Sequence, residues 1–143
     1  MSGLDALAFL VGGTWVSEPT SGAARTLEET CAWSPEGDLI LTEVVVRSPD
    51  GAVRKVRGRF GWHLGGLYMA NETEDGTRTA GHQIEGAPGA WTFEVNGASE
   101  RRRITLARRG EDALVISQEA FRAGRFRPLG SRIYRRRSTG STA

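Results

Sequence analysis

The residues best suited to chemistry in this chain are few. Arg132 and Tyr134 stand two apart with Ile133 between them, so on an extended strand they share one face. A guanidinium forms a forked pair with a carboxylate, and a phenol adds a donor beside it. Together they suit the head group of a small acid. His82 is one of two histidines, with His63; beside a carboxylate such as Glu29 it would serve as a general acid–base. His82, Glu29 and Tyr134 are therefore the candidate catalytic groups. Glu43, Asn71, Gln118 and Glu119 are further candidate interior polar groups, and a carboxylate enclosed by apolar walls acquires a raised pKa. Other chemistry is absent. There is no glycine-rich phosphate loop and no nucleophile elbow. The two histidines and single cysteine lack metal-ligand spacing, so neither metal nor cofactor is expected. Cys31 is the only cysteine and reads as a small buried apolar side chain.

Positioning these groups falls to strands. Leu4, Leu7, Ala8 and Val11 follow the helical period, capped by Ser2 or Asp5 and stopped at Gly12-Gly13. From there the pattern changes to short β-rich runs bounded by turn residues. Strands are predicted over Thr14 to Glu18, Arg25 to Trp33, Leu39 to Arg47, Val53 to Leu64, Leu67 to Glu74, Thr77 to Glu85, Ala90 to Val95, Arg101 to Arg108, Ala113 to Phe121 and Arg125 to Arg136. The last is expected to break at Pro128 and Gly130. Loops at Pro19 with Ser21-Gly22 and at Ser48-Pro49-Asp50-Gly51, and the turns Asp75-Gly76 and Asn96-Gly97, separate several of them. No long helical pattern intervenes. The expected fold is all-β: an antiparallel up-and-down barrel of about ten strands, with the short N-terminal helix plugging one end. Residues 1–137 form this single domain, and 138–143 a disordered tail.

Alternation then assigns faces. Phe60 and Trp62 of the fourth strand point inward, as do Trp91 and Phe93 of the seventh. Leu27 and Cys31 take Glu29 inward with them, and Ala80 and Ile84 take His82 inward. A ten-stranded barrel is too wide for backbone alone to fill. Phe60, Trp62, Trp91 and Phe93 therefore either fill a solid core or line a ligand cavity with Arg132 and Tyr134. Three functions remain open: binding a small apolar molecule that carries a carboxylate; a cyclase- or isomerase-type enzyme using the same cavity and one acid–base group; and a solid-cored barrel acting through a protein partner. The sequence does not decide whether there is catalysis.

The phrase Leu10-Val11-Gly12-Gly13-Thr14-Trp15, after a short helix, resembles the opening of the calycin barrels. These are lipocalins, fatty-acid-binding proteins and bacterial lipocalin-like proteins of unknown function. The resemblance implies that Gly13 lets the chain turn out of the plug. It also implies that Trp15 seals the barrel floor under a last-strand arginine, Arg132 or Arg135, by stacking and by hydrogen bonds to backbone carbonyls. Arg132-x-Tyr134 is similar to the last-strand pair with which fatty-acid-binding proteins hold a ligand carboxylate, so Arg132 is open to either role. The second and third lipocalin motifs are missing. A late haem-ligating histidine, as in nitrobindin-like barrels, is missing too.

The composition limits the partners. Of 143 residues, 38% are hydrophobic and 25% charged, as in a globular domain. Residues 1–100 hold 7 basic and 14 acidic side chains, and residues 101–143 hold 12 and 3. If the sheet closes, the basic last strands lie beside early acids such as Glu28 and Glu29, and the asymmetry becomes cross-strand pairing. No nucleic-acid partner is expected. The run Leu4 to Val11 is too short to span a membrane and lacks a signal peptide's basic flank. Neither membrane insertion nor secretion is expected, and the cytoplasm is the default. A small apolar ligand is the expected partner, and a homodimer stays open.

Overall fold

The computed structural model describes residues 3–18, 25–96 and 100–137. Ser2, the loop at Pro19 and Ser21-Gly22, the Gly97 turn and the tail 138–143 lie outside the described residues. A 3-10 helix, Gly3–Leu10, leads into ten strands: β1 (Thr14–Ser17), β2 (Thr26–Trp33), β3 (Ile40–Arg47), β4 (Val53–His63), β5 (Gly66–Thr73), β6 (Arg78–Ala87), β7 (Ala90–Asn96), β8 (Arg101–Arg108), β9 (Ala113–Arg122) and β10 (Arg125–Arg137). Each strand pairs antiparallel with the next. β1 also pairs with β10, through Trp15 opposite Arg136 and Ser17 opposite Tyr134, which closes the barrel. The expected architecture is the observed one.

The leading helix is tighter than an α-helix. Its buried side chains are Leu4, Leu7 and Leu10, spaced by three, as a 3-10 repeat requires. Of the expected stripe, Leu4 and Leu7 are buried, Val11 packs against the core from just past the helix, and Leu10 is buried where Ala8 is only half-buried. The stripe joins one core with Trp15, Cys31, Ile40, Phe60, Leu67, Met69, Phe93, Leu106 and Leu114, so the helix does plug one end.

Closure of that end falls to Arg136, not to Arg132 or Arg135. The Arg136 guanidinium lies over the Trp15 ring, 4.5 Å from its centroid. Its Nη1 donates to the Phe9 carbonyl at 2.6 Å and the Val11 carbonyl at 3.4 Å. Its Nε donates to Asp112 Oδ1 at 3.1 Å, and Nη2 donates to the Glu111 carbonyl. The reason is register: Arg136 stands directly opposite Trp15 and shares its face, whereas Arg135 points outward to pair with Glu18. Trp15 Nε1 in turn donates to the Leu10 carbonyl at 2.9 Å. Gly13 has φ +68°, and a Cβ there would collide with the Arg137 backbone oxygen, so only glycine suits the turn.

Two strands carry irregularities. In β10 the register shifts between Pro128 and Gly130, a bulge that lets the strand continue where a break was expected. In β6 it shifts between Gln83 and Glu85, with Ile84 as the extra residue.

Candidate functional site

The barrel interior divides into two joined compartments. The deeper one, of about 210 Å³, has walls that include Leu10, Val44, Val56, Phe60, Met69 and Leu106, with Glu29, Asn71, Thr42 and Gln118 as polar groups. The outer one, of about 200 Å³, opens at the end away from the helix and is bounded by Leu129, Gly130, Ser131 and Arg132. Leu27, Ile116, Gln118 and Tyr134 border both. A larger hollow of about 650 Å³ lies on the outer face of β3 to β6 over Leu41, Arg59, Ala70 and Ala80. It lies outside the barrel wall, and its flanking charges pair with each other, Glu43 with Arg57 at 3.5 Å and Glu72 with Arg78 at 3.3 Å.

Strand geometry brings Arg132, Tyr134 and Glu29 together. Arg132 and Tyr134 both face inward, opposite Ile116 and Leu114 of β9, while Ile133 is exposed. Glu29 stands opposite Trp15 on β1 and Val44 on β3. From mouth to floor the order is Arg132, then Tyr134 level with Ser17, then Glu29 level with Trp15. The Ser17 hydroxyl is occupied, accepting from the Leu27 amide at 2.9 Å. The Glu29 carboxyl has one weak side-chain partner, the Cys31 thiol at 3.8 Å. Loss of solvent around it pushes its pKa up to about 7, against a small opposing effect of the thiol contact. Burial, reinforced by the Glu29 charge, pushes the Tyr134 phenol up as well, with Arg132 acting the other way. The phenol therefore stays protonated and can donate at neutral pH. Burial also pushes the Cys31 thiol up, which makes it a poor nucleophile.

Arg132 is the unexplained member. Its Nη1 is buried and has no hydrogen-bond partner among the described residues. Buried polar atoms in folded proteins are paired as a rule, and an unpaired one asks for a reason.

No protein-family model matches this chain, and no curated protein matches it. The site must be read from its own geometry.

That geometry corrects several expectations. His82 is exposed on the outer face, opposite Tyr68 of β5 and Glu94 of β7, and takes no part in the interior. The apolar pair Ala80 and Ile84 misleads there, because both are exposed on the outer face with His82, and Gly81 and Gln83 take the inward positions. A Cβ at Gly81 would lie 2.7 Å from Val95 Cγ2, so the inner wall is too crowded at that point for any other residue. Of the four aromatics expected around a ligand, only Phe60 lines the cavity. Phe93 has no solvent exposure and packs beside Phe60 with centroids 5.9 Å apart. Trp91 stacks on Phe9 of the helix, 5.6 Å between centroids. Trp62 lies over Gly3, where a Cβ would strike its ring, and is 39% exposed. These tryptophans fasten the plug. The cavity wall is instead mainly aliphatic, supplied by β3, β4, β8 and β9. The third and ninth strands are apolar on both faces, so alternation alone could not orient them. Glu43 points outward to Arg57, and Glu119 also faces out, opposite Arg103 and Pro128. Asn71 and Gln118 do reach the cavity. Space for Asn71 comes from Gly58, where a Cβ would run into the amide oxygen.

Among the described residues no cluster of His, Cys, Asp or Glu is placed to hold a metal ion, and no helix is long and apolar enough to cross a membrane.

Proposed function

We propose that the barrel binds a small carboxylic acid with an aliphatic or otherwise apolar body, and that its fold kinship lies with the calycin barrels. The observation that carries the first reading is the buried, unpartnered Nη1 of Arg132 at the mouth of an apolar interior. A ligand carboxylate at the mouth would pair with the accessible edge of the same guanidinium, through the charge-assisted bond that group favours. The body would occupy the deeper compartment, whose volume of about 210 Å³ limits it to a small one. Kinship with calycins is supported by the Gly13-x-Trp15 opening, the plug and the arginine over Trp15.

Because Arg136 closes the barrel, Arg132 has no such structural duty. Arg132→Met should therefore weaken octanoate binding at least tenfold in calorimetric titration and leave the thermal midpoint within about a degree or two. A variant that binds octanoate as well as the parent protein would refute the reading.

A second reading, catalysis in the same cavity, is favoured by the Glu29 carboxyl. A group whose pKa stands at about 7 is poised to give and take a proton at neutral pH. Glu29 with Tyr134 as donor would then be the acid–base pair, in place of His82.

A further inference from the structure

The two compartments say more about the ligand than its head group. Resting on the carboxylate reading above, we infer that the ligand is two-headed: an acid at Arg132 whose far end carries a hydroxyl that bonds the Glu29 carboxyl. Arg132 Nη1 has no partner at one end of the cavity and the Glu29 carboxyl only a weak thiol contact at the other, with apolar and uncharged polar side chains between them. Arg132 lies toward the mouth, and the level of Glu29 is four residues deeper, since Trp15 faces both Arg136 and Glu29; that is ~13 Å of strand. Between them the walls common to both compartments are Leu27, Ile116, Gln118 and Tyr134.

Glu29 is the costly end. Among the described residues its hydrogen-bond partner is a thiol at 3.8 Å, and its neighbours in register, Trp15 and Val44, offer its carboxyl no hydrogen bond. A ligand ending in a methyl group would strip the remaining water from this carboxyl and return no hydrogen bond, a penalty that rejects such a ligand. A terminal hydroxyl restores the bond. It donates to Glu29 when the carboxyl is ionised and accepts from it when protonated, so it serves a group whose pKa stands at about 7 in either state. A plain alkyl acid satisfies only the Arg132 end.

The test compares octanoate with 8-hydroxyoctanoate. The intact protein should bind the hydroxy acid at least tenfold more tightly. In Glu29→Leu that preference should vanish or reverse, while Arg132→Met should weaken both acids alike. A measurement on the unaltered protein stands beside the variants: the carbon-13 resonance of the Glu29 carboxyl should shift with 8-hydroxyoctanoate far more than with octanoate. Equal affinities for the two acids would overturn the two-headed ligand and leave the carboxylate reading in place. A preference that survives in Glu29→Leu, or a silent Glu29 resonance, would do the same. Binding of neither acid would overturn both.

Discussion

At the scale of single residues, Glu29 sets the pH behaviour of the barrel. Its pKa rises from 4.5 to about 7 on folding because the cavity removes water from the carboxyl. The folded protein thus holds this proton where the unfolded chain has lost it, so stability falls as pH rises from about 4.5 through 7. Complete ionisation costs about 3 kcal/mol on this account. Glu29→Gln removes the titration. The difference in unfolding free energy between Glu29→Gln and the parent, followed by urea denaturation from pH 4.5 to 8.5, should move steadily in the variant's favour. A difference that stays constant across that range would show that Glu29 is as well solvated in the barrel as in the unfolded chain. His82 illustrates the opposite outcome. Its two apolar neighbours, Ala80 and Ile84, point to the interior by type, yet both share its exposed outer face, and the inward positions go to Gly81 and Gln83.

At the scale of elements, the plug and the last strand act as one unit. Arg136 touches the helix carbonyls, Trp15 and the Glu111-Asp112 turn at once, and its side chain is only 18% exposed. Arg136→Met should cost about 2–4 kcal/mol, because it leaves several carbonyls unpaired and Trp15 uncovered. The neighbouring Arg135→Met, which loses an exposed pair with Glu18, should cost under about 1 kcal/mol. Equal costs in urea unfolding would remove Arg136 from its closing role. The sequence made the strands, their order and the Gly13-x-Trp15 closure legible, because turn residues and alternation are local signals. The identity of the closing arginine was not, since Arg132, Arg135 and Arg136 differ only by register, which pairing across 120 residues decides. The same limit hid the tryptophans' role. Alternation says that Trp62 and Trp91 lie on the inward side, but not that a helix fills the barrel end in front of them. Arg132 and Tyr134 were legible because both lie in β10 beyond its bulge, where alternation holds.

At the scale of the whole molecule, the uneven charge along the chain becomes a polarity of the barrel. Of the expected pairing between early acids and the basic last strands, Glu18 with Arg135 forms across the closing seam; Glu94 pairs with Arg101 and Glu100 with Arg122 between neighbouring strands, and Glu100 also holds Arg102 locally. Glu29 instead goes inside. Beyond these pairs, β10 starts at the mouth with Arg125 and Arg127, which stand opposite Arg122 and Ala120, on the side of the hairpin that continues the inner wall. No ion pair engages Arg125, Arg127 or Arg132 among the described residues, so the β9–β10 side of the mouth carries three unpaired cations above the cavity. Such an arrangement raises the encounter rate of an anion without adding contacts in the bound state. For a carboxylate ligand, the association rate should therefore fall several-fold between about 20 and 300 mM salt, and the dissociation rate should hardly change. Replacing Arg125 and Arg127 together with glutamine should flatten that salt dependence in stopped-flow measurements, while Arg132→Met acts mainly on dissociation. Were the double variant to release ligand faster and capture it at the parent rate, these two arginines would be holding the ligand rather than steering it.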